Sequence, residues 1–238
     1  MSAIPLLPPS PVAFPDPRYA LAEPDGLVAA GGGLSVQWLL CAYSQGIFPW
    51  FDSDEDHVLW WSPAARAVLK PGQMRITRSL SKRIRNSGFV VTFDQSFEAV
   101  MAGCSGPRGD QYGTWITPKM TAAYSNLHRA GFAHSVEVWQ QDELVGGLYG
   151  VSLGKLFFGE SMFAREKDAS KVAFFVLQDT LAGWAFDLID CQIMNPHLES
   201  LGVHSMPREE FLERLADNEH YPTRQGLWQR DQQAASLS

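Results

Sequence analysis

Asp190 and Gln192 stand two apart in the segment Leu188-Ile189-Asp190-Cys191-Gln192-Ile193. Read as a strand over 188–193, the two-residue repeat turns the carboxylate and the amide to one face and Ile189, Cys191 and Ile193 to the other. Side by side they make a polar pair, which a strand interior holds where it lines a site or ends a sheet. Leu156, Phe158 and Glu160 repeat the pattern, a carboxylate closing an otherwise apolar face beside Met162. Taken singly, Asp190 and Glu160 are equally well explained by a satisfied structural hydrogen bond.

Two further groups of residues suit the binding of a nucleotide or polynucleotide. Trp50, Trp60 and Trp61 cluster in the sequence, and Trp115 sits in the polar stretch GPRGDQYGTWIT. Core packing is the simplest account of any one tryptophan. Phe48-Pro49-Trp50-Phe51, however, follows Gly46 and precedes an acidic run, which fits the lip of a cleft where a base or adenosine stacks. Between Asp56 and Asp94 no acidic residue occurs, while Arg66, Lys70, Arg75, Arg78, Lys82, Arg83 and Arg85 all do. With Ser79 as cap of a short helix, Lys82, Arg83 and Arg85 project beside a loop carrying Arg75 and Arg78, a pattern that suits phosphate contacts and equally a solvated basic face.

Other chemistries find no support. There is no GxSxG elbow, P-loop or HExxH motif. The three cysteines Cys41, Cys104 and Cys191 are widely spaced, so neither a disulfide framework nor a structural metal knuckle is expected. Cys191 with His197 or His204 could make a thiol–imidazole pair, but alternation puts Cys191 on the apolar face as a small buried residue. Gly146, Gly147, Gly150 and Gly154 fall inside expected strands, where they read as bulges or close backbone approaches.

The elements that must position these residues are well marked. Residues 1–22 are proline-rich and read as an extended surface arm. Ser35 caps a helix carrying Trp38, Leu39, Leu40 and Tyr43, with Gly46 as its stop, and a short α/β unit ends near Ser62-Pro63. Thr117-Pro118 opens a helix that ends before Gly131. His134–Trp139, Leu144–Leu153 and Leu156–Ser161 then form an antiparallel meander, Ala169–Trp184 a helix, and 188–193 a strand behind it. The expected organisation is a small N-terminal α/β unit over 1–63, a mixed α/β sheet domain over 64–225, and a polar tail, fraying from about Arg224, over 226–238. With 238 residues, 45% hydrophobic and 19% charged, the chain is globular in composition, and no stretch is apolar enough to span a membrane. The start lacks a basic leader, so a cytoplasmic protein is expected. The net charge of −7 disfavours a wholesale grip on nucleic acid and confines any such contact to the local basic stretch.

An ordered series of blocks resembles one family closely, the bacterial leucyl/phenylalanyl-tRNA-protein transferases. They are FPDPRYALAEPDGLVAAGGGLS, YSQGIFPWF, LWWSPAARAVL, GTWIT, AYSNLHRAGFAHSVEVW, DELVGGLYGVSLGKLFFGESMF, ASKVAF, LIDCQ and HLESLG, running from Phe14 to about Leu215. The resemblance implies an α/β (α+β) chain in which a small N-terminal domain precedes an acetyltransferase-like (GNAT) domain. It also implies the reaction: a leucyl or phenylalanyl group, and less readily methionyl, passes from the 3′ end of its tRNA to the N-terminal Arg or Lys of a protein, marking it for degradation. No cofactor and no metal are expected. The partners are Leu-tRNA, Phe-tRNA and proteins with a basic N-terminus.

On this resemblance Asp190 and Gln192, matched through LIDCQ, are the catalytic pair: Gln192 holds the attacking amine and Asp190 polarises it. Glu160 pairs with the acceptor's α-amine or basic side chain. Leu148, Phe158 and Met162 form the apolar pocket for the donor side chain. Trp50, Trp115, Tyr43 and Tyr124 line the cleft and receive the terminal adenosine, with Asn195 as a further polar contact. Arg75, Arg78, Lys82, Arg83 and Arg85 hold the tRNA body. Two rival readings stay open on the residues alone: a noncatalytic adaptor for basic N-termini or tRNA, and an acyl-CoA-dependent N-acetyltransferase. Against the latter, SMFAREKDASK stands where a pyrophosphate-binding loop is needed.

Overall fold

The computed structural model describes residues 4–106 and 115–229. Residues 107–114, within GPRGDQYGTWIT, and the end of the tail, 230–238, lie outside the described residues. A four-stranded sheet has the order β1 (Leu6–Leu7), β2 (Leu27–Gly31), β4 (Leu59–Trp61), β3 (Phe48–Pro49), with α1 (Val36–Ser44) between β2 and β3 in the chain. A seven-stranded sheet takes the order β11-β5-β10-β9-β8-β7-β6, from β5 (Ala65–Leu69), β6 (Val90–Phe93), β7 (Ala133–Gln140), β8 (Glu143–Leu153), β9 (Leu156–Ala164), β10 (Leu188–Asp190) and β11 (His204–Pro207). Its helices are α2 (Arg78–Asn86), α3 (Phe97–Cys104), α4 (Pro118–Arg129), α5 (Ala169–Gly183), α6 (Pro196–Ser200) and α7 (Arg208–Asn218).

Local signals account for most of these elements. The Thr117 hydroxyl accepts the Met120 N–H at 3.2 Å, Pro118 occupies the first turn of α4, and Gly131 follows its end with φ +81°. Ser35 caps α1 as expected. The cap of α2 is Thr77 rather than Ser79. Leu80 and Ile84, four apart and buried, set the phase of that helix, and the hydroxyl that reaches the Leu80 N–H is Thr77's, at 3.2 Å. Strands β6 to β9 form a consecutive antiparallel meander.

Both faces of the large sheet are covered. Residues of α1, α3, α4, α7 and the small sheet share one apolar layer, so the N-terminal segment is continuous with the core. Residues of α2, α5 and α6, with Trp228, form the other. Trp228 corrects the expectation of a tail that frays from Arg224. It is 2% exposed, its ring stacks on His134 at 3.8 Å, and its backbone N–H donates to Asp94 at 2.7 Å.

Two departures from regular pairing shape the molecule's centre. Tyr149 faces Ser161 but Gly150 faces Gly159, so Glu160 is the extra residue of a β-bulge. Gly150 is required there, because a Cβ would lie 2.2 Å from the Phe158 carbonyl oxygen. The bulge reverses side-chain parity: Leu156 and Phe158 pack in the layer with α1 and α4, whereas Met162 packs in the opposite one. The second departure is in β10, which ends at Asp190. Its parallel register with β9 stops at Asp190 opposite Phe158. Beyond that point the chain stays with β5, Cys191 N–H donating to the Ala67 carbonyl at 2.7 Å and Ala67 N–H to that of Gln192 at 3.0 Å. Gln192 has φ +56°, so the expected strand over 188–193 is cut short and its alternation does not carry from Asp190 to Gln192.

Candidate active site

Where β9 and β10 part, the sheet opens. A cavity of about 720 Å³ lies in the gap, with Leu148, Phe157, Met162, Phe163, Phe174 and Leu177 giving its apolar wall and Glu160, Gln192, Asn195 and His197 its polar one. A smaller cavity of about 220 Å³ adjoins it, bounded by Phe48, Pro49, Trp50, Trp115 and Ile193. Both are bordered by Glu160, Cys191, Gln192 and Asn195. The larger is within the size range of small-molecule sites, mostly apolar with a few converging polar groups.

Glu160 and Gln192 form the shared wall. The Gln192 amide nitrogen donates to Glu160 Oε1 at 2.7 Å, and the Tyr124 hydroxyl donates to Oε2 at 2.8 Å. Tyr43 stands behind, its hydroxyl 2.5 Å from that of Tyr124. Burial pushes the Glu160 carboxyl up to about 7, against the opposing effect of the tyrosine hydrogen bonds. Burial, then the neighbouring carboxylate, raises both tyrosines well above their ordinary value, so they are neutral donors. Burial also raises the Cys191 thiol. Cys191 is on the wall of both cavities rather than wholly buried, yet as a protonated thiol it is a poor nucleophile.

Asp190 is elsewhere than expected. It is wholly buried, and both its oxygens accept from Arg66, Nε at 3.2 Å and Nη2 more closely. Oδ1 also accepts the Gln192 backbone N–H at 3.0 Å. Asp190 thus touches Gln192 through the main chain and borders neither cavity. Arg66, grouped by sequence with the surface basic run, is 1% exposed and is the principal residue that sequence reasoning missed. The available signal was its place between apolar neighbours in Ala65-Arg66-Ala67-Val68-Leu69.

The other expected residues divide. Trp50, 41% exposed, and Trp115 come together on the smaller cavity with Glu160, Gln192 and Asn195. Leu148 and Met162 line the larger one. Phe158 does not, because the bulge leaves it on the opposite face, against Tyr43 at 5.1 Å; Phe157 takes the wall position. Tyr43 and Tyr124, 1% and 0% exposed, lie beneath the site and offer no face for an adenosine to stack on. Asn195 caps α6, its Oδ1 accepting the Leu198 N–H at 3.0 Å, while bordering both cavities. On α2 and the preceding loop, Arg75, Arg78, Lys82 and Arg85 are exposed, and Arg83 lies partly over Phe89 at 5.8 Å. The loop before α2 is tied to the end of α6, where Arg75 N–H donates to the Leu201 carbonyl at 2.8 Å.

The family model for the leucyl/phenylalanyl-tRNA protein transferase matches residues 68–216, and the model for that family's N-terminal domain matches 32–64. The chain belongs to the leucyl/phenylalanyl-tRNA protein transferase family. It is accordingly a transferase. A relative named leucyl/phenylalanyl-tRNA–protein transferase from Chromohalobacter salexigens is 55% identical over 225 residues, covering 94% of this chain and 88% of that protein. One of the same name from Nitrosospira multiformis is 53% identical over 215 residues, covering 90% and 92%. Among solved structures, a GCN5-related N-acetyltransferase from Kribbella flavida aligns with a TM-score of 0.38 and 11% identity over 71% of this chain and 59% of that one, too loose to bear on the site. Within the transferase family assignment, the two cavities and their shared polar wall are the candidate active site.

Proposed function

We propose that the chain moves a leucyl or phenylalanyl group, and less readily methionyl, from the 3′ end of its tRNA to the N-terminal Arg or Lys of an acceptor protein in the cytoplasm, marking it for degradation. The observation that carries this reading is the hydrogen-bonded pair of Glu160 and Gln192, 2.7 Å apart, set between an apolar cavity and one rimmed by two tryptophans. An apolar aminoacyl side chain suits the wall of Leu148, Met162 and Phe174, and the terminal base suits the faces of Trp50 and Trp115. The ester that joins these two parts then passes beside Glu160 and Gln192.

The donor is an activated ester, and an acceptor α-amine has an ordinary pKa of about 7.7–8.0, so a neutral fraction exists near pH 7. No covalent enzyme intermediate is needed. The amine nitrogen, oriented by the Gln192 amide, attacks the ester carbonyl carbon, forming the C–N bond and an oxyanion. Glu160, as carboxylate, takes the proton from nitrogen, a task matched to a group that titrates at about 7. Collapse of the intermediate breaks the ester C–O bond, and the proton on Glu160 passes to the departing ribose oxygen. Asp190 is removed from substrate contact by Arg66, so its contribution is to hold Gln192. The phosphates of the tRNA body lie against Arg75, Arg78, Lys82, Arg83 and Arg85, which carry no sequence information and leave selection to the aminoacyl end.

The test is transfer of labelled leucine from Leu-tRNA to a peptide beginning with Arg, beside one beginning with Ala. Label on the Arg peptide alone is expected. Label on neither, with folded protein that still binds Leu-tRNA, would make the chain an adaptor.

A further inference from the structure

Arg66 is a buried, heavily engaged side chain that takes no direct part in the reaction above. Its Nε and Nη2 grip both oxygens of Asp190, its Nη1 donates to the Gly46 carbonyl at 2.6 Å, and its guanidinium lies between the rings of Phe48 at 5.1 Å and Phe211 at 4.4 Å. A buried ion pair is weak as a source of stability, because desolvating both charges offsets most of their attraction. What this pair does supply is geometry. The fork admits one orientation of the Asp190 carboxylate. That carboxylate accepts the Gln192 N–H and so holds a non-glycine residue at φ +56°, a conformation that side chains rarely adopt. Released from it, residue 192 would relax toward extended backbone and carry its amide away from Glu160.

The same guanidinium reaches the opposite wall. Gly46 has φ +72° and stops α1, and the chain then runs directly into Phe48, Pro49 and Trp50, which bound the smaller cavity. One side chain therefore touches the segment that aims Gln192 and the segment that carries Trp50.

We infer that Arg66 is the positioning residue of the site, setting Gln192 against the aromatic wall through Asp190 on one side and the Gly46–Phe48 turn on the other. This rests on the reading that Gln192 orients the acceptor amine. Asp190 then works as the arm of Arg66, its carboxylate held by the guanidinium and its grip on Gln192 delivered through the main chain.

Leucyl transfer to the Arg peptide, with kcat and KM separated for each substrate, tests the inference in R66M, R66K, the charge-neutral pair R66M/D190N, and Q192A. Misplacing a reacting group by about 1 Å costs on the order of 100-fold in rate. R66M should lose kcat on that scale with KM for Leu-tRNA little changed, and R66K, a cation without the fork, should recover only part. R66M/D190N removes the unpaired buried charge, so its Tm should return toward wild type while kcat stays low; a purely structural pair would regain both together. Wild-type kcat in folded R66M, or in R66M/D190N, overturns the inference. Wild-type kcat in Q192A instead overturns the reading of Gln192, and the inference falls with it.

Discussion

The large sheet buries carboxylates in two places, and they serve opposite ends. At its β6–β7 edge, Asp94 accepts the backbone N–H of Ser135 at 2.8 Å, that of Trp228 at 2.7 Å, and His134 Nδ1 at 2.8 Å. Glu137 beside it accepts from Thr92 Oγ1 at 2.6 Å, Ser135 Oγ at 2.5 Å and Ser96 N–H at 3.3 Å. Burial lowers the pKa of His134, which is therefore a neutral donor to Asp94. At the gap between β9 and β10, Glu160 accepts from the side chains of Tyr124 and Gln192, with Tyr43 close behind, and faces two cavities. Asp94, held by two backbone N–H groups and a buried imidazole, and Glu137, held by two hydroxyls and one backbone N–H, border neither cavity of the candidate site and act as structural fastenings. Glu160, open to both cavities, is pushed up to about 7 by burial and is thereby tuned to exchange a proton near pH 7.

Exchanging the two clusters' roles by mutation is the sharpest way to break this contrast. Glu160→Gln should lower transfer by about 10²-fold or more, the usual scale for loss of a positioned base, while Asp94→Ala should leave kcat of the folded enzyme unchanged. In the wild type, kcat at saturating substrates should fall as pH drops through about 7, because Glu160 must be ionised to accept a proton. Rate measurements on both variants, with a pH series for the wild type, check this; equal losses in the two variants would erase the distinction.

Stability should move the other way. Asp94→Ala orphans the N–H groups of Ser135 and Trp228 and should cost about 2–4 kcal/mol, seen as a lower Tm and exposure of Trp228. Glu160→Gln should raise Tm. The sign follows from linkage: a carboxyl whose pKa rises from 4.5 to about 7 on folding binds more protons folded than unfolded in that window, so its contribution to stability is lost as pH rises through it. The variant's advantage should therefore be greatest at pH 8 and shrink toward pH 5, as thermal melts at the two pH values would show. The smallest effect is expected far from either cluster. Arg78→Ala with Arg85→Ala should raise KM for Leu-tRNA, leave kcat unchanged and flatten the salt dependence by roughly one unit of slope per lost phosphate contact.

Much of this protein was determined by its sequence alone. Helix caps, the glycine beyond α4, the two-residue repeats and the ordered blocks are local features, and each carries its own physical signal within a few residues. They suffice for the meander, the principal helices, the mixed α/β class and the family. Of the site, Glu160, Gln192, Trp50, Trp115, Leu148 and Met162 were all legible by type and motif. The tertiary structure alone decided that Phe158 faces away, since one extra residue in β9 reverses every side chain beyond it. It alone placed Tyr43 and Tyr124 beneath the site, joined Arg66 to Asp190 across 124 positions of chain, and ended β10 where β9 turns aside. These outcomes depend on which strands lie next to one another and in what register, and that pairing is a property of the whole sheet, with no counterpart in the local pattern of any one strand.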